Sequence, residues 1–313
     1  MVTLSIIIPV YNVQHKIEKC VNSILQQTFV DFEILLINDG STDESGIICD
    51  NLARLDNRVR VIHKENTGVS QTRNVGIDFA LGKYIGWVDG DDWIEPEMYE
   101  ELIKKAESEN LDLVWSNFYI DYENSHHIVN QCIEANSDFF ITKLLDLNLE
   151  GMLWNKIMKS YIFHKNNLRF LKGQDMAEDK TILIKFLFYS KRIGFVDKAF
   201  YHYLQDNPIS YTRDLSSKRI YEEINNAIEI TCFLESHKLD ISQKVLFKYQ
   251  LHAKRRLLYS KNFDDIMNWS NIFPKSNWYI LSNRHFYLRH KILAICSILK
   301  LSFIINMWIK FKH

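Results

Sequence analysis

Five short apolar runs, at positions 4–8, 32–37, 59–62, 84–88 and 111–115, recur through the first 120 residues and restrict the fold more tightly than anything else in the chain. They are dense in Ile, Val and Leu and lack the polar alternation of a half-wetted strand, so they suit strands buried on both faces. The stretches between them carry helical spacing instead, as in Ile17, Val21, Ile24 and Leu25 or Val69, Val75, Phe79 and Ala80. Strand–helix alternation of this kind implies an α/β chain with a mostly parallel sheet flanked by helices. In such sheets ligands bind beyond the carboxyl ends of the strands. Ser41-Thr42-Asp43-Glu44 reads as a capping box opening the second helix, and Pro96 as the start of a later one.

A length of 313 residues suffices for one large domain or for a catalytic domain with an accessory region. The 38 Lys and Arg against 39 Asp and Glu leave a net charge of -1, so no global positive field draws in nucleic acid, and none is expected as a partner. Cys20, Cys49, Cys132, Cys232 and Cys296 are scattered without a CxxC pair, which argues against a disulfide framework or a zinc site and fits a reducing cytoplasm. Strand-like sequence begins at Leu4, with no basic stretch and apolar segment of a secretion signal before it. From about residue 125 the alternation fades into helical and irregular sequence bearing Trp154, Phe200, Tyr201 and Tyr203, and residues 216–262 read as helical and mixed in charge.

The chemistry gathers after the strands. The run 84–88 leads into Asp89-Gly90-Asp91-Asp92-Trp93, three carboxylates within four residues. Like charges this close raise one another's pKa, whereas Mg²⁺ or Mn²⁺ would hold them ionised through oxygen ligation; a solvated acidic turn is the alternative. Asp39, in Asn38-Asp39-Gly40-Ser41-Thr42-Asp43 after the second run, can accept from the N–H of a pyrimidine ring, beside a pocket wall of Pro9, Val10, Tyr11 and Asn12, or it can serve merely in a turn. The planar fork of Arg73 can meet a diphosphate, the alternative being a surface arginine.

In order and spacing, Ile8-Pro9-Val10-Tyr11-Asn12, Asp39-Gly40-Ser41-Thr42-Asp43, Thr72-Arg73-Asn74-Val75-Gly76, Asp89-Gly90-Asp91-Asp92 and Glu178-Asp179 resemble a family-2 glycosyltransferase of the GT-A fold, of the bacterial polysaccharide or glycan-synthesis type. The resemblance implies a metal-dependent, inverting hexosyltransferase (EC 2.4) that uses Mn²⁺ or Mg²⁺ and a nucleotide-sugar donor, expected to be a UDP-sugar. Its acceptor would be a hydroxyl of a growing glycan, expected to be lipid-linked. The resemblance gives Asp39 to the base, Arg73 to the nucleotide or diphosphate, Asp89 to the neighbourhood of the ribose, Asp91 to the metal and Asp179 to the catalytic base. It places Asp92, Glu178, Trp154 and Lys156 at the donor sugar or acceptor, with Trp154 also readable as core, and His202 as a further metal ligand. The Tyr-x-Tyr-Arg element of the family is interrupted at Leu204, and Arg213 is the candidate substitute. Glu178-Asp179 also reads simply as favourable charge at a helix N-terminus.

The implied organisation is a nucleotide-sugar half over 1–120, an acceptor and catalytic-base half over 121–213, and a helical region over 214–313. Residues 292–309 are apolar apart from Ser297, Lys300, Ser302 and Asn306, and are flanked by Arg284, Arg289, His290, Lys291, Lys310 and Lys312. The run is marginal for spanning a bilayer and suits a surface-lying helix over 285–312, which would make the protein peripheral on the cytoplasmic face of a membrane; packing on its own domain or a partner is the alternative. From another class, a non-catalytic sugar-nucleotide-binding or scaffolding protein of the same fold competes, and the intact Asp91 and Asp179 argue against it. A dinucleotide oxidoreductase is disfavoured because no GxGxxG follows the first strand.

Overall fold

The computed structural model describes residues 2–123, 125–133, 136–205, 216–284 and 286–311. The chain divides into two compact units, Met1–Ile141 with Leu149–Ile209 and Thr142–Asn148 with Ser210–His313.

The first unit runs β1 (Leu4–Val10), α1 (Ile17–Leu25), β2 (Phe32–Asp39), α2 (Ser45–Leu55), β3 (Val59–Lys64), α3 (Val69–Phe79), β4 (Tyr84–Trp87), β5 (Trp93–Ile94), α4 (Met98–Ser108), β6 (Leu113–Tyr122), β7 (Ser125–Val129), α5 (Ser137–Leu145, its last residues in the second unit), β8 (Lys156–Lys159), α6 (Ser160–Lys165), α7 (Glu178–Tyr189) and β9 (Ile193–Leu204). Each of the five apolar runs coincides with or overlaps a strand, β6 starting two residues into the last of them. The sheet order is β3-β2-β1-β4-β8-β6-β9-β5, with β7 on β6. Its first four strands are parallel, as alternation with helices requires. Beyond them β8 pairs antiparallel on both sides, β9 runs parallel to β6, and β5 and β7 add antiparallel edges, so the sheet is mixed rather than uniformly parallel. A core of Ile6, Ile8, Ile34, Leu36, Val114, Phe118, Trp154 and Tyr201 fills the space between the sheet and the helices.

Two local expectations fail for identifiable reasons. Ser41 does not cap α2, because its Oγ accepts from the backbone N of Asn12 at 3.2 Å. The helix starts at Ser45, whose N donates to Asp43 Oδ1 at 3.0 Å, so Asp43 takes over the first turn. α4 begins at Met98 rather than at Pro96, whose carbonyl accepts from Thr28 N at 3.0 Å.

The second unit holds α8 (Ser217–Ser236), α9 (Gln243–Lys254), α10 (Phe263–Asn268), α11 (Tyr279–Ser282), α12 (Leu288–Ile298) and α13 (Ser302–Phe311) around a core that includes Ile224, Leu257, Trp269, Leu293 and Ile305. A polar centre within it is Lys254, wholly buried, whose Nζ donates to Ile272 O at 2.6 Å and to Asn277 Oδ1 while lying 4.0 Å over the Trp269 ring. The apolar run 292–309 is therefore not a single helix. Lys300 takes φ 56, its N donates to Ser297 O at 3.2 Å and Leu301 N donates to Cys296 O at 2.9 Å, which is a Schellman C-cap with lysine where glycine is usual. The Lys300 ammonium donates to Asn271 Oδ1 at 2.8 Å and Ser270 Oγ at 3.1 Å, which holds the break. No helix among the described residues is long and apolar enough to cross a membrane.

Candidate active site

Parallel register brings three strand tips together: Val10 pairs with Asn38 across β1 and β2, and Ile7 pairs with Trp87 across β1 and β4. At the first tip Asn12 adopts φ 53, a left-handed conformation that asparagine tolerates, and its Oδ1 accepts from Thr42 N at 2.8 Å. The β1 and β2 loops are laced through these bonds, with Tyr11 left 42% exposed at the rim.

At the second tip Asp39 is buried and its carboxylate organises the loop before α3. Oδ1 accepts from Thr67 N at 2.9 Å and from Lys64 Nζ, and Oδ2 accepts from Gly68 N at 3.0 Å. A carboxylate offers about four acceptor positions, so one, on Oδ2, remains for a ligand N–H. Gly68 sits at φ 91 against Asp175, a position where a Cβ would meet Asp175 Oδ2 at 2.2 Å.

At the third tip the acidic turn is fixed by a residue for which the sequence supplied no role. The Tyr201 hydroxyl accepts from Asp89 N at 3.1 Å and donates to Asp92 Oδ2 at 2.7 Å, while Leu204 N donates to Asp92 Oδ1 at 2.9 Å. Both Asp92 oxygens are thereby engaged, so Asp92 ties the turn to β9. Burial pushes its pKa well up, and the charges of Asp91 and Asp89 add to that. Gly90 permits the close approach of β1, since a Cβ there would lie 3.2 Å from Pro9 O.

Arg73, on α3, is buried, and its guanidinium gathers carboxylates instead of facing an open cleft. Nη1 lies 2.6 Å from Glu178 Oε1 and 2.8 Å from Asp179 Oδ1, and Nη2 lies 3.3 Å from Asp89 Oδ1. Burial opposes its charge, but Asp179, Glu178 and Asp89 outweigh that and hold it protonated. Arg73 thus bridges the acidic turn and the first turn of α7. α7 is entered through Ala177 at φ 65, a left-handed conformation that costs a residue with a Cβ about 1–2 kcal/mol and aims Glu178 and Asp179 at the guanidinium.

Asp179 Oδ1 sits at ion-pair distance from Arg73 but off its N–H directions, so among the described residues this buried oxygen accepts no hydrogen bond. Burial raises the Asp179 pKa to about 7; Arg73 works against the rise, Glu178 and Asp89 add to it, and Lys156 opposes it. A carboxyl group poised near neutrality with an unused lone pair is equipped to take a proton.

The acidic turn fits a cation shared with a ligand. Burial and then Asp89 raise the Asp91 pKa, with Lys16 acting in opposition, and no other described residue donates a hydrogen bond to its carboxylate. No cluster of three or more His, Cys, Asp or Glu among the described residues could hold a metal alone. One or two carboxylates with the remaining shell left to phosphate and water is the arrangement Mg²⁺ favours.

The other three expected site residues, His202, Trp154 and Lys156, are each held by neighbouring side chains or backbone. His202 is sandwiched between Trp93 and Tyr119, with Nδ1 2.9 Å from Asp121 Oδ2 and Nε2 3.0 Å from Glu95 Oε1, so both nitrogens are engaged away from Asp91. Trp154 is core, stacked on Tyr201 at 4.1 Å and edge-on to Phe118 at 4.7 Å. Lys156 is buried in β8, donating to Met152 O at 2.6 Å and Asn155 Oδ1 at 2.5 Å, and burial lowers its pKa to about 7. Its charge acts on Asp179. Arg213 lies outside the described residues.

The profile of Glycosyl transferase family 2 matches residues 5–171. The chain is 36% identical over 216 residues to the glycosyltransferase EpsJ of Bacillus subtilis, the match covering 67% of this chain and 62% of that one, so it spans about three fifths of that relative. It is 32% identical over 257 residues to the glycosyltransferase GlyG of Streptococcus pneumoniae, covering 76% and 83% of the two chains. Among solved structures, S. aureus TarS 1–349 in complex with UDP-GlcNAc superposes with a TM-score of 0.72 at 17% identity, over 97% of this chain and 92% of that one, a likeness of fold.

Proposed function

This chain belongs to glycosyl transferase family 2, and from that premise we propose that it is an inverting, metal-dependent enzyme moving a sugar from a nucleotide-sugar, most simply a UDP-sugar, onto a hydroxyl of a growing glycan. The observation that carries the reading is the Arg73 guanidinium, which holds Asp89 of the acidic turn and the Asp179 carboxylate at once. A group suited to the donor side and a group suited to deprotonating an acceptor are thus fixed in relation to each other.

In this reading the pocket of Pro9, Val10, Tyr11 and Asn12 receives the nucleoside, and the remaining acceptor position of Asp39 takes a base N–H. Asp91 and the second oxygen of Asp89 would hold Mn²⁺ or Mg²⁺, which when bound supplies Lewis-acid stabilisation to the departing diphosphate. Asp179 Oδ1 takes the proton of the acceptor hydroxyl as its oxygen forms the bond to the anomeric carbon, and the bond to the diphosphate oxygen breaks on the opposite face. A single displacement inverts the anomeric centre. General-base help of this kind contributes about 10²–10⁴ in rate. Glu178, held by Arg73, positions the α7 turn beside it.

The first 120 residues then serve the donor and residues 121–213 the acceptor and base. The second unit would rest on an anionic membrane surface. On α13 Phe303 is 74% exposed and Ile304 and Met307 lie beside it, on α12 Leu288 is 74% exposed, and Arg289, Lys291 and Lys310 accompany them. Apolar side chains in the headgroup boundary with cations at the lipid phosphates are the two contributions such binding sums, and they would bring the site to a lipid-linked glycan.

The test is nucleotide release and product mass with purified protein, a panel of nucleotide-sugars, Mn²⁺ and lipid-linked glycan extract. Donor-dependent release that needs both the cation and an acceptor supports the reading. Binding of nucleotide-sugar with no transfer or hydrolysis under any pairing would favour a non-catalytic sugar-nucleotide-binding protein.

A further inference from the structure

A depression of about 670 Å³ opens between α1 and β5, and none of the donor, cation or base groups line it. Its floor is Trp93, and Trp93 is unusually well braced. His202 stacks on one face of the indole at 3.5 Å between centroids and 12° between planes, and Tyr119 stacks on the far side of His202 at 4.4 Å and 16°. The middle ring is pinned at both nitrogens, to Asp121 at 2.9 Å and to Glu95 at 3.0 Å. Three parallel rings fixed in this way present the remaining indole face at a set orientation. That face turns toward the depression, because the Lys19 ammonium lies over the Trp93 ring at 4.5 Å and His202 occupies the other side.

The walls decide what could seat there. Asn22 and Gln26 offer amide donors and acceptors from the outer face of α1, and Glu18 and Glu95 offer carboxylates around the single ammonium of Lys19. Two carboxylates against one ammonium repel a phosphate or nucleotide. Ile94 and Pro96 add apolar atoms beside the indole, but the amides and charges of Glu18, Lys19, Asn22, Gln26 and Glu95 around them are wrong for an acyl chain. A flat apolar ring face surrounded by bidentate hydrogen-bonding groups matches a pyranose, whose C–H face packs on an indole while its hydroxyls both donate and accept. The exposed, flexible Lys19 stem can swing aside or lie along the sugar.

We propose that this depression is a saccharide-binding subsite, with Trp93 as its platform, that holds a sugar unit of the glycan acceptor other than the one that reacts. Identifying the occupant as acceptor glycan rests on the transferase reading; binding of a saccharide there does not. The subsite is mechanically continuous with the reacting centre. Trp93 follows Asp92 directly, β5 pairs Trp93 with His202 beside the Tyr201 that locks the acidic turn, and Lys16, whose charge reaches Asp91, precedes Lys19 by about one helical turn. An acceptor long enough to fill the depression would therefore be bound more tightly than a short one.

The test uses the full chain with UDP and Mn²⁺ present and short and long oligosaccharides of hexose, N-acetylhexosamine and uronic acid type as probes, followed by saturation-transfer NMR and titration. Trp93→Ala removes the platform, and Asn22→Trp, on an exposed helix face, fills the depression without disturbing the ring stack. Expected is saturation transfer to at least one longer oligosaccharide, with both variants weakening it about tenfold or more, equivalent to about 1.4 kcal/mol, and UDP affinity unchanged. In turnover the same variants would raise KM for long acceptors and leave short ones unaffected. No oligosaccharide bound by the parent protein, or undiminished binding by Asn22→Trp and Trp93→Ala, overturns the subsite. Saccharide binding that both variants abolish, in a protein that transfers no sugar, would retain the subsite and reject the transferase reading instead.

Discussion

Replacing Arg73 by Gln should move the pH dependence of catalysis, because the guanidinium is the largest influence holding down the Asp179 pKa, which burial raises to about 7 even with Arg73 in place. With Nη1 2.8 Å from Asp179 Oδ1, two unit charges about 4 Å apart at an effective dielectric of about 20 interact by about 4 kcal/mol, roughly three pKa units. The Asp179 side chain remains 18% exposed and water screens part of this, so a rise of about 1–3 units is expected, the usual influence of an arginine on a neighbouring carboxylate. Asp179 must be ionised to accept a proton, so the acid limb of kcat/KM should move from near pH 7 upward by that amount. Activity of Arg73→Gln at pH 7 should fall about fivefold or more and recover in part toward pH 9. The assay is nucleoside-diphosphate release across pH at saturating Mn²⁺. Arg73→Lys, which retains the charge but not the fork, serves as the control for folding and should keep the limb within about half a unit of the parent. An acid limb unmoved in Arg73→Gln, with the loss appearing instead as weakened UDP binding at every pH, would refute the bridging role and return Arg73 to the nucleotide.

Asp179→Asn should lower turnover at least about 10²-fold with donor affinity retained, and should melt progressively higher than the parent between about pH 4 and 7. The sign follows from the raised pKa: folded protein binds the Asp179 proton more tightly than unfolded protein, so the parent loses stability as pH rises through that window while the amide does not; a melting gap independent of pH would contradict it. Asp91→Ala should weaken Mn²⁺ and UDP binding together, whereas calorimetry finding UDP affinity unchanged with Mn²⁺ present would remove Asp91 from the cation. Tyr201→Phe deprives the Asp89 amide and the Asp92 carboxylate of a buried partner and should cost about 1–3 kcal/mol on denaturant unfolding together with a raised donor KM; unaltered stability would mean the hydroxyl does not lock the turn. Phe303→Ser with Ile304→Ser should reduce sedimentation with anionic liposomes at low salt while leaving UDP binding intact, and parent protein that never sediments with them would end the membrane reading. Substitution is the sounder probe than truncation, since Leu293 and Ile305 belong to the core of the second unit.

The parts of the fold legible in the sequence are those whose burial is symmetrical. β1 and β2 are buried along nearly their whole length, so most positions are apolar and the run is visible despite Ser5 and Glu33. β8 is equally buried but begins and ends with lysines, of which Lys159 is neutralised by Asp112 at 3.0 Å, and no periodicity reveals it. In the site, residue types at strand tips could be read because topology alone places them. Partners could not: Arg73 meets Glu178 and Asp179 across more than a hundred residues of sequence, and a guanidinium suits a diphosphate as well as a carboxylate. Two side-chain oxygens stood within reach of the α2 N-terminus, and which of them capped it depended on Asn12 claiming Ser41. At the C-terminal end neither glycine nor proline marks the break at Lys300.

The charge inventory of the site explains why a diphosphate and a cation would have to arrive together. Among the described residues, Asp89, Asp91, Asp92, Glu178 and Asp179 face Arg73 as their embedded ion-pair partner, with Lys16 and Lys156 acting at longer range and Lys156 itself weakened by burial. Asp92 is engaged by Tyr201 and Leu204, and Glu178, Asp179 and one oxygen of Asp89 by Arg73, so the uncompensated charge concentrates on Asp91 and the other oxygen of Asp89. A bare diphosphate entering here meets repulsion from those two groups, and a bare divalent ion finds too few ligands to complete its shell. A cation carried by the diphosphate removes both difficulties at once. Its charge would also weaken the repulsion between Asp89 and Asp179 that helps to raise the base, so donor binding would itself bring Asp179 closer to the ionised form in which it can accept the hydroxyl proton.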